Sequence, residues 1–182
     1  MNRKTKLLLG LIPVLLVFVV IFIFSSFDAS SSSSQSGVIV KFLKKYIFTD
    51  LNDIKNKHDI KLVNDTLAFA VRKTAHFSVY MLLGGITFAS MWIINNKKLR
   101  YLAALAICAG YAATDEIHQM FVPGRSCELR DVMIDSCGAA IGAGVCLVIV
   151  LLLELRQIKK SMAAQTGESY NDGNNNSNEM RG

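Results

Sequence analysis

The chain has 182 residues, of which 52% are hydrophobic and only two are proline, and its formal net charge is +6. This apolar fraction is unusually high for an ordinary soluble domain of the same length. The positive charge does not indicate a nucleic-acid-binding protein, because the basic residues stand beside apolar segments and no nucleic-acid motif is present. Composition therefore favours an integral membrane protein.

Four apolar segments follow one another, and they predict an all-α polytopic membrane helix bundle with four transmembrane helices. About 20 predominantly apolar residues cross the hydrocarbon core of a bilayer, and the first, second and fourth segments approach that length alone. The third segment, Leu102–Ala113, reaches it only by including Asp115, Glu116 and His118. The expected spans are residues 7–24, 74–94, 100–119 and 135–154.

Basic residues predict the orientation of these spans. Four spans place three basic clusters on one side: Arg3, Lys4 and Lys6; Lys97, Lys98 and Arg100; Arg156, Lys159 and Lys160. The positive-inside rule makes that side cytoplasmic, so both termini are expected in the cytoplasm. The first segment also has features of a signal peptide, and its cleavage is the alternative. The topology after residue 30 is the same in either case.

The segments outside the spans are polar or amphipathic. A serine run occupies residues 25–36, and Ser36 is a candidate cap for an interfacial helix after the first span, with an ordinary loop as the alternative. That helix would carry Val38, Phe42, Lys45, Ile47 and Phe48. The asparagine-rich residues 161–182 are expected to be a disordered cytoplasmic tail.

Small residues predict which helix faces pack together. Gly138 and Gly142 form a GxxxG pair on the last span, with Ala139 and Ala143 beside them, and the third span carries Ala106 and Gly110 at the same spacing. Because small side chains allow close backbone approach in a membrane, we expect the third and last spans to meet at these faces.

The four cysteines imply no disulfide framework. Cys108 and Cys146 fall within predicted spans, where a buried thiol is the expected state. Cys127 and Cys137 fall on the outer side, so either a disulfide between them or two thiols fits the sequence.

A polar stripe lies at the start of the second span. Arg72, His76 and Tyr80 recur every fourth residue and therefore share one helix face, with Lys73 displaced by one position. Ionisable groups at membrane depth usually mark a working site.

A second set of polar residues lies at the end of the third span. Asp115, His118 and Gln119 share a face, whereas Glu116 points about 100° away from Asp115. Only one of the two carboxylates can therefore point squarely at the centre of the bundle.

The connection to the last span continues this polar region. Pro123 and Gly124 end the helix and predict a turn, after which the chain returns through Arg125. Asp131 and Asp135 are four residues apart on the helix that opens the last span, where the helix macrodipole favours negative charge.

These motifs resemble the signature blocks of the VanZ-like family of bacterial membrane proteins. The resemblance rests on RKTAH at Arg72–His76 with Tyr80 and Gly84, on YAATDEIHQMFVPGRSCELRDVMIDSCGAAIG at Tyr111–Gly142, and on the serine-bearing FSSFDASSSSSQSG. It covers residues from about 20 to 155. Cys127 and Glu128 depart from the small or polar residues expected after the Arg-Ser pair, which puts in doubt only details of the loop.

The resemblance implies a multi-pass protein of the bacterial cell membrane. The family's founding member is associated with low-level resistance to the glycopeptide antibiotic teicoplanin. The implied organisation is a cytoplasmic N-terminus at residues 1–6, a VanZ-like membrane domain at residues 7–160 and the tail. The resemblance brings no settled reaction, so the roles of individual residues are inferred from their chemistry.

The first functional hypothesis is recognition of a lipid-linked or amphipathic anionic molecule at the outer leaflet. Arg72, Lys73 and Arg125 would bind a phosphate or carboxylate, while Tyr80 and apolar walls would accept a tail. The other expected ligand-binding residues are Glu116, Gln119, Asp131 and Asp135. The expected partners are the membrane and an envelope precursor or lipoglycopeptide, with no nucleic acid, and homo-oligomerisation is left open.

The second hypothesis is an intramembrane hydrolase or transferase acting on an envelope lipid or glycan. His76 and His118 would act as general acid and base, Asp115 would orient an imidazole, and Arg125 would stabilise an anionic transition state. A metal-assisted variant would recruit both histidines with Asp115, Asp131 and Asp135. Because the spacings match no established ligand signature, neither a metal nor another cofactor is expected.

The third hypothesis is that the charges are purely structural. Arg72 would pair with Asp115 or Glu116, and Arg125 or Arg130 with Asp131, because charges in a poor dielectric pair with one another. The two histidines, the glutamine and the tyrosine at the same depth exceed what such pairing requires.

Overall fold

The protein is described by a computed structural model that covers residues 3–27, 37, 39–43, 45, 57–125 and 127–179. The predicted all-α class is confirmed: these residues include no strand. The long helices are α1 (Arg3–Ser25), α2 (Lys57–Ser90), α3 (Lys97–Gln119) and α4 (Leu129–Glu179). The chain divides into two compact units, Met1–Val145 and Cys146–Gly182, and the candidate site lies wholly in the first.

Among the residues that the structure describes, two helices are long and apolar enough to cross a membrane by themselves, over Leu8–Ser25 and Leu129–Ala163. On α2, the apolar stretch is interrupted by Lys73, His76 and several serine, threonine and glycine residues, and α3 carries charges near both ends. These polar residues lower the hydropathy of both helices below that of an autonomous span. The arrangement with four spans therefore stays a prediction.

The surface of α1 is strongly apolar. Leu8, Leu16 and Phe24 are each more than half exposed. A continuous apolar surface of this kind is unfavourable in water and is typical of a helix that faces lipid or a partner. The exposed leucines therefore agree with a membrane location for α1.

Contacts between α1 and α3 show that these two helices run parallel. The ring of Phe18 stacks on that of Tyr111 with centroids 3.8 Å apart, and the Tyr111 hydroxyl donates to the Phe18 carbonyl oxygen at 2.6 Å. Further along both helices, the Ser25 hydroxyl donates to Asp115 at 2.9 Å. Because residue numbers increase in the same direction along both helices, α1 and α3 end on the same side of the bundle.

The helices α2 and α4 are also parallel, and glycines bring them into backbone contact. A Cβ atom placed on Gly138 would collide with the main chain of Phe77, and one on Gly142 with the main chain of Met81. Gly84 meets the main chain of Ala139 in the same way. Such close approach to a neighbouring main chain requires a residue without a side chain at that position, which is why small residues mark helix interfaces in membranes.

The prediction that the GxxxG face of the last span meets the third span is wrong. Its main partner is α2, because Gly84 and Gly85 offer a side-chain-free surface there, whereas Ala106 and Gly110 on α3 are exposed. The third helix reaches α4 differently, through the Tyr101 hydroxyl, which donates to the Ala140 carbonyl oxygen at 3.2 Å.

A basic residue stabilises the end of α2 opposite the candidate site. Arg100 is 9% exposed and donates from Nε to the Phe88 carbonyl oxygen at 2.5 Å and from Nη2 to that of Ala89 at 2.9 Å. The last carbonyls of a helix lack intrahelical donors, so Arg100 satisfies groups that would otherwise need water. Beside it, the Asn96 side chain caps α3 by accepting from the Leu99 N–H at 3.1 Å.

Some predictions fall on segments at the edge of the described structure. Residues 37, 39–43 and 45 are helical, in agreement with a helix after the first span, while Ser36, Val38, Ile47 and Phe48 lie outside the described residues. Residues 161–179 are helical, which differs from the disorder that composition indicates for the tail in water; that disorder stays a prediction. All four cysteines are free thiols, so Cys127 and Cys137 form no disulfide.

Candidate functional site

A cavity of about 80 Å³, here called the polar cavity, lies between α2, α4 and the connection from α3 to α4. Charged and polar side chains form most of its wall. Seven of them are predicted site residues: Arg72, Lys73, His76, Gln119, Arg125, Asp131 and Asp135. Its remaining wall consists of Phe69, Gly124, Glu128 and Ile134. The structure thus gathers residues from three separate sequence regions around one space.

A larger space of about 300 Å³, here called the apolar groove, shares part of its wall with the polar cavity. Its wall is mainly aliphatic and aromatic and includes the predicted site residue Tyr80. The apolar contributions come from Ile21, Phe24, Ile39, Val71, Ala75 and Val79. Ser25 completes the wall.

Three side chains line both spaces: Arg72, His76 and Arg125. Two permanently charged guanidinium groups therefore stand at the boundary between a polar and an apolar compartment. The guanidinium of Arg72 lies 6.0 Å from the centroid of the Phe69 ring, and no carboxylate among the described residues is within ion-pair distance of it.

Close to this boundary, His76, Asp115 and Asp135 form a compact group. One donor atom from each lies within 4.8 Å of the others, and His76 Nδ1 is 3.8 Å from Asp135 Oδ2. Asp115 and Asp135 are 4% and 2% exposed. Imidazole and carboxylate groups at this separation are suited either to proton transfer or to binding a cation.

The carboxylate of Asp115 is held in place by two neutral donors. Its Oδ2 atom accepts from the Ser25 hydroxyl at 2.9 Å and from the Gln119 amide nitrogen at 3.1 Å, while Oδ1 has no hydrogen-bond partner among the described residues. The amide of Gln119 lies one helical turn beyond Asp115, so the i,i+4 spacing accounts for this contact. Oδ1 is therefore the oxygen that remains available to other groups.

Glu116 turns away from this group, as expected from the 100° step between neighbouring helical residues. Its Oε2 atom accepts from the backbone N–H of Glu128 at 3.0 Å, and the residue is 2% exposed. The carboxylate thereby satisfies a backbone donor just before α4 begins and fixes the start of that helix against α3. Glu116 lines neither space.

The predicted turn after the third helix is confirmed. The Arg125 N–H donates to the Val122 carbonyl oxygen at 3.1 Å, and Gly124 has a positive φ of 74°. Proline at the second position and a left-handed glycine at the third are typical of a type II turn. This turn carries Arg125 back over α2, where it lines both spaces.

The structure does not bring the two candidate histidines together. His118 faces α1, where Nε2 hydrogen-bonds with the Ser26 hydroxyl at 3.2 Å and the ring lies 4.5 Å from that of Phe22. It lines neither the polar cavity nor the apolar groove. The helical pattern placed His118 on the same side as Asp115, but it could not show that α1 occupies the neighbouring position.

The ion pairs of this region differ from those predicted for purely structural charges. Asp131 pairs with Lys73, and Arg130 pairs with Glu128 at 2.6 Å. Arg72 pairs with neither Asp115 nor Glu116, since both carboxylates have the other partners described above. Lys73 is the better partner for Asp131 because its flexible chain reaches across the parallel α2–α4 interface.

Sequence reasoning overlooked two polar contributors: Glu128, which lines the polar cavity, and Ser25. Ser25 is 1% exposed and supplies the donor to Asp115 from the end of α1. The position of Ser25 directly after a long apolar segment could have indicated this role. A serine at the end of a membrane span can contact polar groups of other helices at the same depth in the membrane. Phe69 was also missed, and its only signal was its place one turn before Lys73 on α2.

Comparison with known protein families identifies a match that covers the whole candidate site. The sequence model of the VanZ/LLP1 family matches residues 10–152, which include every residue of the polar cavity and the His76, Asp115 and Asp135 group. The chain belongs to the VanZ/LLP1 family. Neither a curated protein nor a solved structure matches the chain.

Proposed function

We propose that this VanZ/LLP1 family member is a four-span protein of the bacterial cell membrane that recognises an amphipathic anionic molecule at the outer leaflet. The observation that carries the proposal is the shared boundary of the two spaces. Arg72 and Arg125 line both the polar cavity and the apolar groove, so one ligand can place its charged head group in the first space and its tail in the second.

The four-span topology is supported by helix direction. The pair α1 and α3 and the pair α2 and α4 each run parallel, as they would in a chain that crosses the membrane four times. In such a chain the positive-inside rule places the basic cluster at Lys97–Lys98 on the cytoplasmic side. The candidate site would open to the opposite side, with both termini in the cytoplasm.

The chemistry of the boundary favours an anionic head group. Guanidinium groups bind phosphate and carboxylate through paired hydrogen bonds. These hydrogen bonds become stronger where water is partly excluded from the site. Lys73 is already engaged with Asp131, whereas Arg72 and Arg125 both line the polar cavity and the apolar groove and can approach a head group from either space. A polyprenyl phosphate-linked envelope precursor and an acylated glycopeptide such as teicoplanin share the required combination of anion and hydrocarbon tail.

The test compares two ligands that differ only in the head group. Binding of a polyprenyl phosphate and of the polyprenol with the same tail is measured with the full chain in nanodiscs. The expected result is tighter binding of the phosphate, with a loss of about tenfold in Arg72→Gln or Arg125→Gln because a charge-assisted hydrogen bond disappears. The polyprenol affinity should stay unchanged in these variants.

A third arginine provides the matched control. Arg130 is exposed, pairs with Glu128 and lines neither space, so Arg130→Gln should bind both ligands as the unaltered protein does. Equal affinity for phosphate and alcohol would contradict the proposal, and so would an equal loss in the Arg130 variant. A preference for the acylated glycopeptide over its deacylated form, without binding of the polyprenyl phosphate, would identify the antibiotic as the ligand.

Catalysis at the same site is the alternative and stays a prediction. If a lipid or glycan is turned over, replacing His76 should abolish turnover while ligand binding persists. Comparison of envelope lipids in cells with and without the protein would reveal the changed species.

A further inference from the structure

We propose that His76, Asp115 and Asp135 bind one divalent transition-metal ion, such as Zn²⁺ or Mn²⁺. The proposal goes beyond ligand recognition and does not depend on it. Three residues from three helices, α2, α3 and α4, bring one donor atom each to within 4.8 Å of the others. No local sequence spacing predicts this set, because each ligand comes from a different part of the chain.

The donor set is suited to a metal of this class. Zn²⁺ binds imidazole nitrogen and carboxylate oxygen at about 2.0–2.2 Å, which places its ligand atoms roughly 3–3.5 Å apart. His76 Nδ1 and Asp135 Oδ2 are 3.8 Å apart, so small side-chain rotations suffice. Imidazole disfavours Ca²⁺ and Mg²⁺, which prefer oxygen ligands. Three protein ligands leave a position open to water or to an anion.

Two buried polar groups point to something held between these residues. Asp115 is 4% exposed, and its Oδ1 atom has no hydrogen-bond partner among the described residues. Tyr80 is completely buried, and its hydroxyl lies close enough to Asp115 to interact with that carboxylate, although it does not meet full hydrogen-bond geometry to any described group. A tyrosine hydroxyl in such a place normally has a partner. A metal ion with a bound water would satisfy both Asp115 Oδ1 and the Tyr80 hydroxyl.

Charge balance leads to the same conclusion. Two carboxylates close together in a poorly solvated region repel each other, and Lys73, the lysine that lines the polar cavity, is paired with Asp131. A divalent cation neutralises both carboxylates while His76 contributes as a neutral ligand. Ser25 and Gln119 donate hydrogen bonds to Asp115. Hydrogen bonds of this kind orient carboxylates that bind metal ions.

The position of the group connects it with the boundary of the two spaces. His76 lines both the polar cavity and the apolar groove. A cation bound there adds positive charge beside Arg72 and Arg125.

The primary test is metal content. The full chain is purified in detergent without chelator, dialysed against metal-free buffer and analysed for transition metals. About one equivalent per chain is expected, removable by a chelator and restored by Zn²⁺ with a rise in the unfolding temperature. Asp115→Asn and Asp135→Asn should lose the metal, and Ser25→Ala should weaken its binding by about tenfold or more.

A control and a second measurement keep the test decisive. Asp65→Asn removes an exposed carboxylate from α2 and should retain the metal. If the cluster variants do not fold, pulsed electron paramagnetic resonance of the unaltered protein loaded with Mn²⁺ should still detect coupling to an imidazole nitrogen. Absence of stoichiometric metal together with no effect of added Zn²⁺ on unfolding would overturn the proposal. Metal retained in the Asp115→Asn/Asp135→Asn double variant, or no nitrogen coupling, would overturn it equally.

Discussion

The same pair of helices behaves differently in its two halves. Where Phe77 and Met81 of α2 meet Gly138 and Gly142 of α4, the two backbones are in contact and no cavity separates them. One to two turns earlier on both helices, Lys73 pairs with Asp131 across the interface and the polar cavity opens. The glycine half fixes the register of the helices, and in the polar half that register brings Lys73 opposite Asp131 beside the polar cavity. Breaking each half should therefore have different consequences.

The largest effect is expected from filling the glycine half. Gly142→Ala places a Cβ against the main chain of Met81, where only movement of a whole helix can relieve the contact. Overpacking of this kind should destabilise the protein by about 3 kcal/mol, measured as unfolding in detergent by circular dichroism. Gly110→Ala is the matched control, because its Cβ would meet open space. Equal losses in both variants would mean that the close approach of α2 and α4 does not carry stability.

An intermediate effect is expected from opening the ion pair in the polar half. Lys73→Met leaves the largely buried carboxylate of Asp131 without its cation and should destabilise the protein by about 2 kcal/mol, less than a fully buried pair because both groups keep some exposure. Adding Asp131→Asn should recover part of this loss. A double-mutant cycle measures the coupling, and strictly additive losses would contradict a direct interaction.

The smallest effect is expected where α1 supports the polar half. Ser25→Ala removes one of the two donors to Asp115 and should cost about 1.5 kcal/mol, the usual range for a hydrogen bond to a charged group. Ser78→Ala is the control, since the exposed Ser78 hydroxyl only donates to the Thr74 carbonyl oxygen of its own helix. Chemical denaturation of both variants provides the comparison, and a Ser78 variant as unstable as the Ser25 variant would argue against this role.

Sequence patterns predicted much of this architecture because helical periodicity assigns residues to faces. The polar stripe from Arg72 to Tyr80, the opposite directions of Asp115 and Glu116, and the turn at Pro123 and Gly124 all follow from local geometry. Periodicity does not tell which neighbour a face meets. That choice depends on backbone contact between helices distant in sequence, and for this reason the partner of the GxxxG face was predicted wrongly.

The same limit explains the site residues that were misplaced or missed. His118 shares a face with Asp115, but the ring lies against Phe22 of α1, whose position no local rule supplies. The grouping of His76, Asp115 and Asp135 requires the register of three helices at once. That register is a property of the packed bundle and cannot be found in any one segment.

The contact between Ser25 and Asp115 has a consequence for the fate of the amino-terminal segment. A hydrophobic leader with a basic front is the kind of sequence that export machinery can remove after translocation. Here its excision would take away the serine that orients Asp115 and the phenylalanine stacked on Tyr111. The remaining protein would then lack one wall of the apolar groove, so this apolar helix is expected to be retained.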